Sequence, residues 1–423
     1  MNRLFFFVLA LTWGLAQFSL ATVVKAKGEF NVRAFDATGD GATKDTAAFQ
    51  KALDACAAAG GGTVVVPAGD YLIGSIVIGN NTTLRLESRA FLVGSPDIAD
   101  YPVIQMRFEG EFVPGHRALI SAGKQENIAV VGRGFVLGPP LPVSLLRNPR
   151  GPVLIEFSEC TNVTLDGFTT QYQRLWSIHP MLCRNVVARN LTIRSVALNG
   201  DGIDVDSCQR VLIERCDINT GDDAIALKSG RGLAAVHLNR PTEDVTIRDC
   251  TLVSSTYAAL GIGTELSGGI RNVHLENCTL SGRQNGIFLK SRDGRGGYIE
   301  NVTGENLTIR NSPTFLGIDL LDKGIQASDP VTGDPQEWTR LSHIRFDHIR
   351  VDHVGQLVLA NDIPPQRPVT DFSLTEVQGT CDRALSLANM TNVVLADIRV
   401  TDYHGPFLTK VNVQGKGLVQ PPM

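Results

Sequence analysis

Short phrases in which apolar and polar residues alternate recur along most of the chain. They run Asn162-Val163-Thr164-Leu165-Asp166, Asn185-Val186-Val187-Ala188, Arg210-Val211-Leu212-Ile213-Glu214 and Asp244-Val245-Thr246-Ile247. Asn272-Val273-His274-Leu275, Asn301-Val302-Thr303, His343-Ile344-Arg345-Phe346 and Asn392-Val393-Val394-Leu395 continue the series. Alternation at a period of two marks strands with one face turned inward. From Asn162 to His343 the phrases start 23, 25, 34, 28, 29 and 42 residues apart, a repeat lengthened here and there by loops. A unit this small cannot bury its own apolar side, so stacking on neighbours must supply the core. The pattern predicts an all-β chain wound as a single-stranded right-handed parallel β-helix.

Such a solenoid needs a plug at its open end, where strand edges and an apolar cross-section would otherwise be exposed. Ahead of the repeats, Phe49, Ala52, Leu53 and Cys56 fall on one helical face. Asp45 or Thr46 can cap the start and Gly60-Gly61-Gly62 stops the run, which predicts an N-terminal capping helix over about 45–59. Between 312 and 340, Pro313, Pro330, Gly333 and Pro335 interrupt the rhythm, and a loop insertion beside a cleft is expected there. The 423 residues, 42 of them glycine, suit one continuous solenoid over 22–423.

Residues 1–21 have a basic start at Arg3, an apolar run from Leu4 to Leu15 and small residues at Ser19 and Ala21. This is the pattern of a secretory signal peptide, and it predicts a secreted or periplasmic monomer. The formal net charge of −4 comes without basic runs, which argues against nucleic acid or an anionic membrane as partner. Of the eight cysteines, Cys160, Cys183, Cys208, Cys250, Cys278 and Cys381 sit at similar points of successive repeats, as stacked core thiols would. Were a disulfide present, Cys208 and Cys216 would be the best pair. Seven Asn-x-Ser/Thr matches, beginning at Asn81 and Asn162, lie mostly beside strand starts and read as inward-stacked turn asparagines rather than glycan sites.

The candidate chemistry lies in the middle of the chain. Asn199-Gly200-Asp201 is followed, 21 residues after Asp201, by Gly221-Asp222-Asp223. Carboxylates one coil apart in sequence can lie side by side on a wall long enough to hold a polymer. Consecutive Asp222 and Asp223 would face opposite ways in a regular strand, and Gly221 supplies a plausible bend. A lone Asp near a turn ordinarily satisfies turn amides, the reading given to Asp204 and Asp206, but three in this pattern point to acid–base chemistry. His179, 22 residues before Asp201, and Trp176 are placed to contact sugar from the coil beneath, with Tyr257 on the coil after. Lys228 reads as a substrate cation or a salt-bridge partner.

These motifs resemble the polygalacturonase family of glycoside hydrolases, family 28, whose members cut pectin on a right-handed parallel β-helix. Asn199-Gly200-Asp201 matches the family's Asn-Thr-Asp, Gly221-Asp222-Asp223 its Gly-Asp-Asp, and Phe288-Leu289-Lys290 its Arg-Ile-Lys. The resemblance implies that Asp222 is the general acid, that Asp201 and Asp223 hold and deprotonate the attacking water, and that Lys290 grips substrate. It implies an inverting hydrolase of galacturonan or rhamnogalacturonan, with no metal and no cofactor. Arg292 and Arg295, in Lys290-Ser291-Arg292-Asp293-Gly294-Arg295, could add cationic contacts, and Glu265 reads as structural. Two positions depart from the pattern. Ala258 stands where the family has histidine, and Phe288 where it has the arginine that helps hold a galacturonate carboxylate. The subsite beside the scissile bond could then take another sugar, such as rhamnose, or a uronate held otherwise. The competing expectations are a calcium-dependent pectate lyase and a non-catalytic pectin-binding β-helix.

Overall fold

The computed structural model describes residues 28–142, 148–321 and 337–419; the leader expected at 1–21 lies outside them. Among the described residues, thirty-one strands form one sheet whose pairings run from each coil to the next. In one coil, Ile178–Met181, Arg184–Arg189 and Thr192–Arg194 pair in parallel with Ile155–Ser158, Thr161–Asp166 and Thr169–Gln171 on one side. On the other side they pair with Ile203–Asp206, Gln209–Glu214 and Asp217–Thr220. The fold is the right-handed parallel β-helix. Its core is built by the alternation: Val163, Leu165, Val186, Ala188, Val211, Ile213, Val245 and Ile247 are all buried, each branched side chain contributing roughly 1.5–3 kcal/mol.

Side-chain ladders hold the coils in register. The Asn127 amide donates to Asn81 Oδ1 at 2.8 Å, Asn162 to Asn127 at 2.8 Å and Asn185 to Asn162 at 2.7 Å. All four occupy the left-handed region, which Asn tolerates better than most residues. They stand half-buried at the corner rather than pointing into the core as expected. The thiols stack as well. Backbone N–H groups of Cys160 and Cys183 donate to the sulfurs of Cys183 and Cys208, and Cys216 to that of Cys250, at 3.3–3.5 Å. All eight cysteines are free and buried, so Cys208 and Cys216 are not a disulfide; each belongs to a different column.

The helix Thr46–Ala58 buries Phe49, Ala52, Leu53 and Cys56. Asp45 occupies its N-cap position without capping it; the carboxylate accepts instead from the backbone N–H groups of Thr38 and Gly39. Thr314–Asp319, inside the stretch expected to be a loop, is a strand paired with Asn285–Lys290. Its Phe315, Leu316 and Ile318 are buried, an apolar content the prolines around it obscured. Among the described residues no helix is long and apolar enough to cross a membrane.

Among the described residues, one pair of strands breaks the parallel winding. Val103–Phe108 and Glu111–His116 form an antiparallel hairpin turned by Glu109 and Gly110, with φ of 48° and 84°. Two positive φ values are what a two-residue type I′ turn requires. The hairpin covers the outward face of the wall formed by Ile178–Met181, Ile203–Asp206 and Ile225–Lys228. Arg107, 2% exposed, lies 3.4 Å from the Asp206 carboxylate and donates to the Ser207 hydroxyl. Phe108 stacks on Trp176 with centroids 4.8 Å apart. Below them His179 is enclosed between Glu156 at 3.0 Å and Asp206 at 3.8 Å. Burial alone would push its pKa down, but the Asp206 and Glu156 carboxylates outweigh it and raise the imidazole to about 9.

A folded-state pKa above the unfolded value, about 6.5, gives stability that is fully present below pH 6.5 and lost as pH rises through about 9. Replacing His179 by Gln should therefore lower the melting temperature at pH 6, by an amount equivalent to roughly 2–3 kcal/mol. The difference from the parent should shrink towards pH 10. A gap that stays constant across that range would exclude the charged imidazole as its source.

Candidate active site

Six strands lay the wall out in register: Ile178–Met181, Ile203–Asp206, Ile225–Lys228, Ala258–Ile262, Asn285–Lys290 and Thr314–Asp319. Asp201 stands just before the second, Asp222 and Asp223 just before the third. One carboxylate oxygen from each lies within 4.8 Å of the other two. The bend that aims both neighbours at one place lies at Gly221, where a Cβ would come 2.0 Å from the Ala197 carbonyl oxygen, so only glycine fits. The chain stays irregular through Asp223, whose backbone N–H donates to Asp222 Oδ1 at 3.0 Å.

The three acids differ in their surroundings. Asp223 is 3% exposed; its Oδ1 accepts from the Ala258 backbone N–H at 3.0 Å and its Oδ2 from the Lys290 ammonium at 2.9 Å. Both contacts fix the carboxylate in place. A Cβ on Gly261 would lie 2.3 Å from Asp223 Oδ2, so the bare floor at Gly261 makes room for that carboxylate. Asp222 is the half-buried member of the trio; burial first, then the neighbouring charge of Asp223, push its pKa up to about 7. Asp201 is held well above the usual carboxylate range by burial and by Asp204 and Asp222, against the opposing pull of Lys228 at 3.9 Å. The site thus keeps a proton on acids beside a carboxylate fixed by a cation.

The two lysines serve the acids. Lys228 lies 2.6 Å from Asp204 and 3.8 Å from the Trp176 ring centroid; despite burial, Asp204 and Glu265 hold its pKa well above the ordinary value. It is a buried ion-pair partner, not a cation exposed to substrate. Lys290 sits over the Tyr257 ring at 4.3 Å, and Asp223 likewise raises its pKa against burial.

Several sequence-based expectations are corrected here. Trp176, 3% exposed, is covered by Phe108 and so offers no face to a sugar. His179 is fully enclosed under the same hairpin. Asp204 and Asp206, read as turn or outer-face residues, are buried because that hairpin covers their strand. Arg292 and Arg295 are buried as well, and the Arg295 carbonyl accepts from Ser267. Tyr257 does reach the site rim, half-buried beside Phe288. The sequence reading missed Arg107, Glu156 and the Ala258 N–H. The signal for the first was present, since Glu109-Gly110 between two apolar runs is a hairpin turn; a backbone donor leaves none.

Comparison with known proteins agrees with this geometry. The model of glycosyl hydrolases family 28 matches residues 143–394, and that of rhamnogalacturonase A/epimerase, pectate lyase-like, matches 29–130. A probable polygalacturonase from Vitis vinifera is 31% identical over 65% of this chain and 60% of its own. An exo-poly-alpha-D-galacturonosidase from Dickeya chrysanthemi is 25% identical over 66% of this chain and 55% of its own. The chain therefore spans little more than half the length of these relatives. Among solved structures, a Thermotoga maritima exopolygalacturonase superposes with a TM-score of 0.73 at 25% identity, covering 92% of each chain. A Yersinia enterocolitica family 28 exopolygalacturonase gives 0.80 at 22%, covering 93% of this chain and 79% of that one, a likeness of fold. With a family model spanning more than half its length, the chain belongs to family 28 of the glycosyl hydrolases.

Proposed function

We propose that the protein is an inverting glycoside hydrolase of pectic polysaccharide or its fragments, of galacturonan or rhamnogalacturonan type, working from chain ends. The observation that carries this reading is the convergence of three acids with unlike partners, one of them fixed by a lysine. Glycoside hydrolysis needs a protonated carboxyl at the leaving oxygen and an ionised one at the attacking water. Asp222, the half-buried member pushed up to about 7, is the proton donor. Asp223, fixed by Lys290 and the Ala258 N–H, takes the proton of a water that Asp201 helps to hold. In enzymes with two working carboxyls, a separation of about 5–5.5 Å goes with retention and one of about 6.5–9.5 Å with inversion. Three acids relax that rule, because two can grip water between them while the third faces the glycosidic oxygen.

Ala258 removes the family's imidazole, and its place beside Asp223 is served by Lys290 and a backbone donor. The trio's oxygens are close enough for a divalent ion, yet the Lys290 ammonium at 2.9 Å is already paired with Asp223 and Lys228 lies 3.9 Å from Asp201. That arrangement, like the family, favours hydrolysis over calcium-dependent elimination. A silent binding wall would have no use for acids buried at this cost. Action at chain ends is supported by the hairpin, which buries the outward side chains His179, Asp204, Asp206 and Lys228 and so stops the groove on that side of the acids. Away from it, Phe288 and Asp319 are half-buried and Leu359 is 40% exposed, so the groove runs one way. The leader-like pattern of residues 1–21 supports export.

Asp222→Asn should reduce kcat on the preferred pectic backbone by roughly 10²–10⁴-fold with the melting curve preserved. Full activity in this variant would remove Asp222 from the mechanism. Because the donor must carry its proton, kcat/KM should fall as pH rises through about 7, and a basic limb well above that would contradict the assignment. The products should be saturated, without new ultraviolet absorbance, and the first-formed anomer opposite to that of the bond cleaved, as read by NMR. Reducing ends should accumulate as short products while viscosity falls slowly; an early collapse of viscosity would mean internal cleavage.

A further inference from the structure

We infer that the sugar ring bound on the open side of the acids is uncharged, seated on a platform made by Tyr257 and Phe288; this deepens the hydrolase reading and rests on it. The two rings lie 6.1 Å apart at 49°, both half-buried, on the coils that follow Asp222 and Asp223 along the axis. Phe288 is flanked on the wall by glycines in register, Gly261 before it and Gly317 after it. A Cβ on Gly317 would come 2.4 Å from Asn285 Oδ1 and 3.1 Å from the Phe288 ring, so the phenyl lies across Gly317 beside the Asn285 amide. The result is an apolar seat of two mutually tilted rings next to the reacting groups.

A uronate placed there would need a cation for its carboxylate, and the four cations at the ends of the wall strands, Lys228, Lys290, Arg292 and Arg295, are withdrawn from the surface. Lys290 is 7% exposed, committed to Asp223 at 2.9 Å, and lies 4.3 Å and 5.7 Å from the Tyr257 and Phe288 ring centroids. Lys228, Arg292 and Arg295 are at most 6% exposed. A ring carboxylate at Phe288 would be stripped of water against a hydrocarbon surface, with the Asp223 carboxylate nearby. An uncharged pyranose presents its C–H face to such rings at no comparable cost, and a methyl substituent gains from the contact. Two sources share this chemistry: a neutral or deoxy sugar alternating with uronate, and a uronate capped as its methyl ester.

The test uses oligosaccharides of matched length: unesterified galacturonan, methyl-esterified galacturonan and rhamnogalacturonan. Binding to the Asp222→Asn protein is measured by calorimetry, and kcat/KM with the parent and with Phe288→Arg. Unesterified galacturonan should bind at least about tenfold more weakly than the better of the other two, and which of those wins identifies the source. Phe288→Arg should raise kcat/KM on unesterified galacturonan about tenfold, chiefly through KM, and lower it on the uncharged partner. Equal or tighter binding of unesterified galacturonan by the Asp222→Asn protein overturns the inference, whether or not the parent cleaves it. Should Phe288→Arg not fold, Phe288→Leu replaces it, and loss of affinity for the uncharged partner alone is expected; equal loss on all three would refute the platform. Absent cleavage with the binding preference intact would count against the hydrolase reading and leave this one standing.

Discussion

Parallel stacking of coils fixes where every residue of the wall can lie. Adjacent strands sit about 4.8 Å apart, so residues a coil apart in sequence become neighbours at that spacing regardless of what lies between them. Asp201 and Asp223, 22 positions apart, meet because the strands that follow them, Ile203–Asp206 and Ile225–Lys228, pair residue for residue at that offset, and the bend at Gly221 brings Asp222 in beside them. The same pairing puts Lys290 two coils beyond Asp223 and within reach of it. A slip of one residue would turn the acids inward, and the buried alternation of Val, Ile and Leu makes that slip costly. The apolar core is therefore the ruler against which the site is drawn.

Charge is arranged on this frame by covering rather than by distance. The outward face of a β-helix wall would normally meet water, but here Asp204, Asp206, His179 and Lys228 lie beneath a hairpin. Buried charges of both signs persist because each has an opposite partner: Arg107 with Asp206, His179 with Glu156, Lys228 with Asp204, Lys290 with Asp223. Asp222 is the acid of the trio left partly open to water. The same low-dielectric surroundings that make ionisation of Asp222 costly keep its proton available near neutrality.

The repeat, the capping segment and the three acids were legible in the sequence because each rests on local chemistry: alternation, a helical face ended by glycines, carboxylates at coil spacing. What escaped was what depends on a second layer. Trp176 and His179 stand on the wall one coil below the acids, where the spacing put them, but nothing in their own neighbourhood reveals that residues 103–116 fold over them. Asp204 and Asp206 were misread for the same reason. Thr314–Asp319 was hidden by proline-rich flanks, and the Ala258 N–H is invisible to any reading of side chains. Phe288 was legible as a departure, while its companionship with Tyr257 needed the third dimension.

The thiol columns bear on how such a chain matures. Cys160 and Cys278, each against another sulfur and buried, are held far above the ordinary thiol range, and burial lifts Cys381 to about 11. Almost no thiolate exists there at physiological pH, and thiolate is the species that attacks disulfides. The coils are thus tied along the axis without covalent links, and the finished protein presents nothing for an oxidase or isomerase to act on. Once wound, the chain meets an oxidising compartment with its thiols shielded, and the winding itself needs no disulfide.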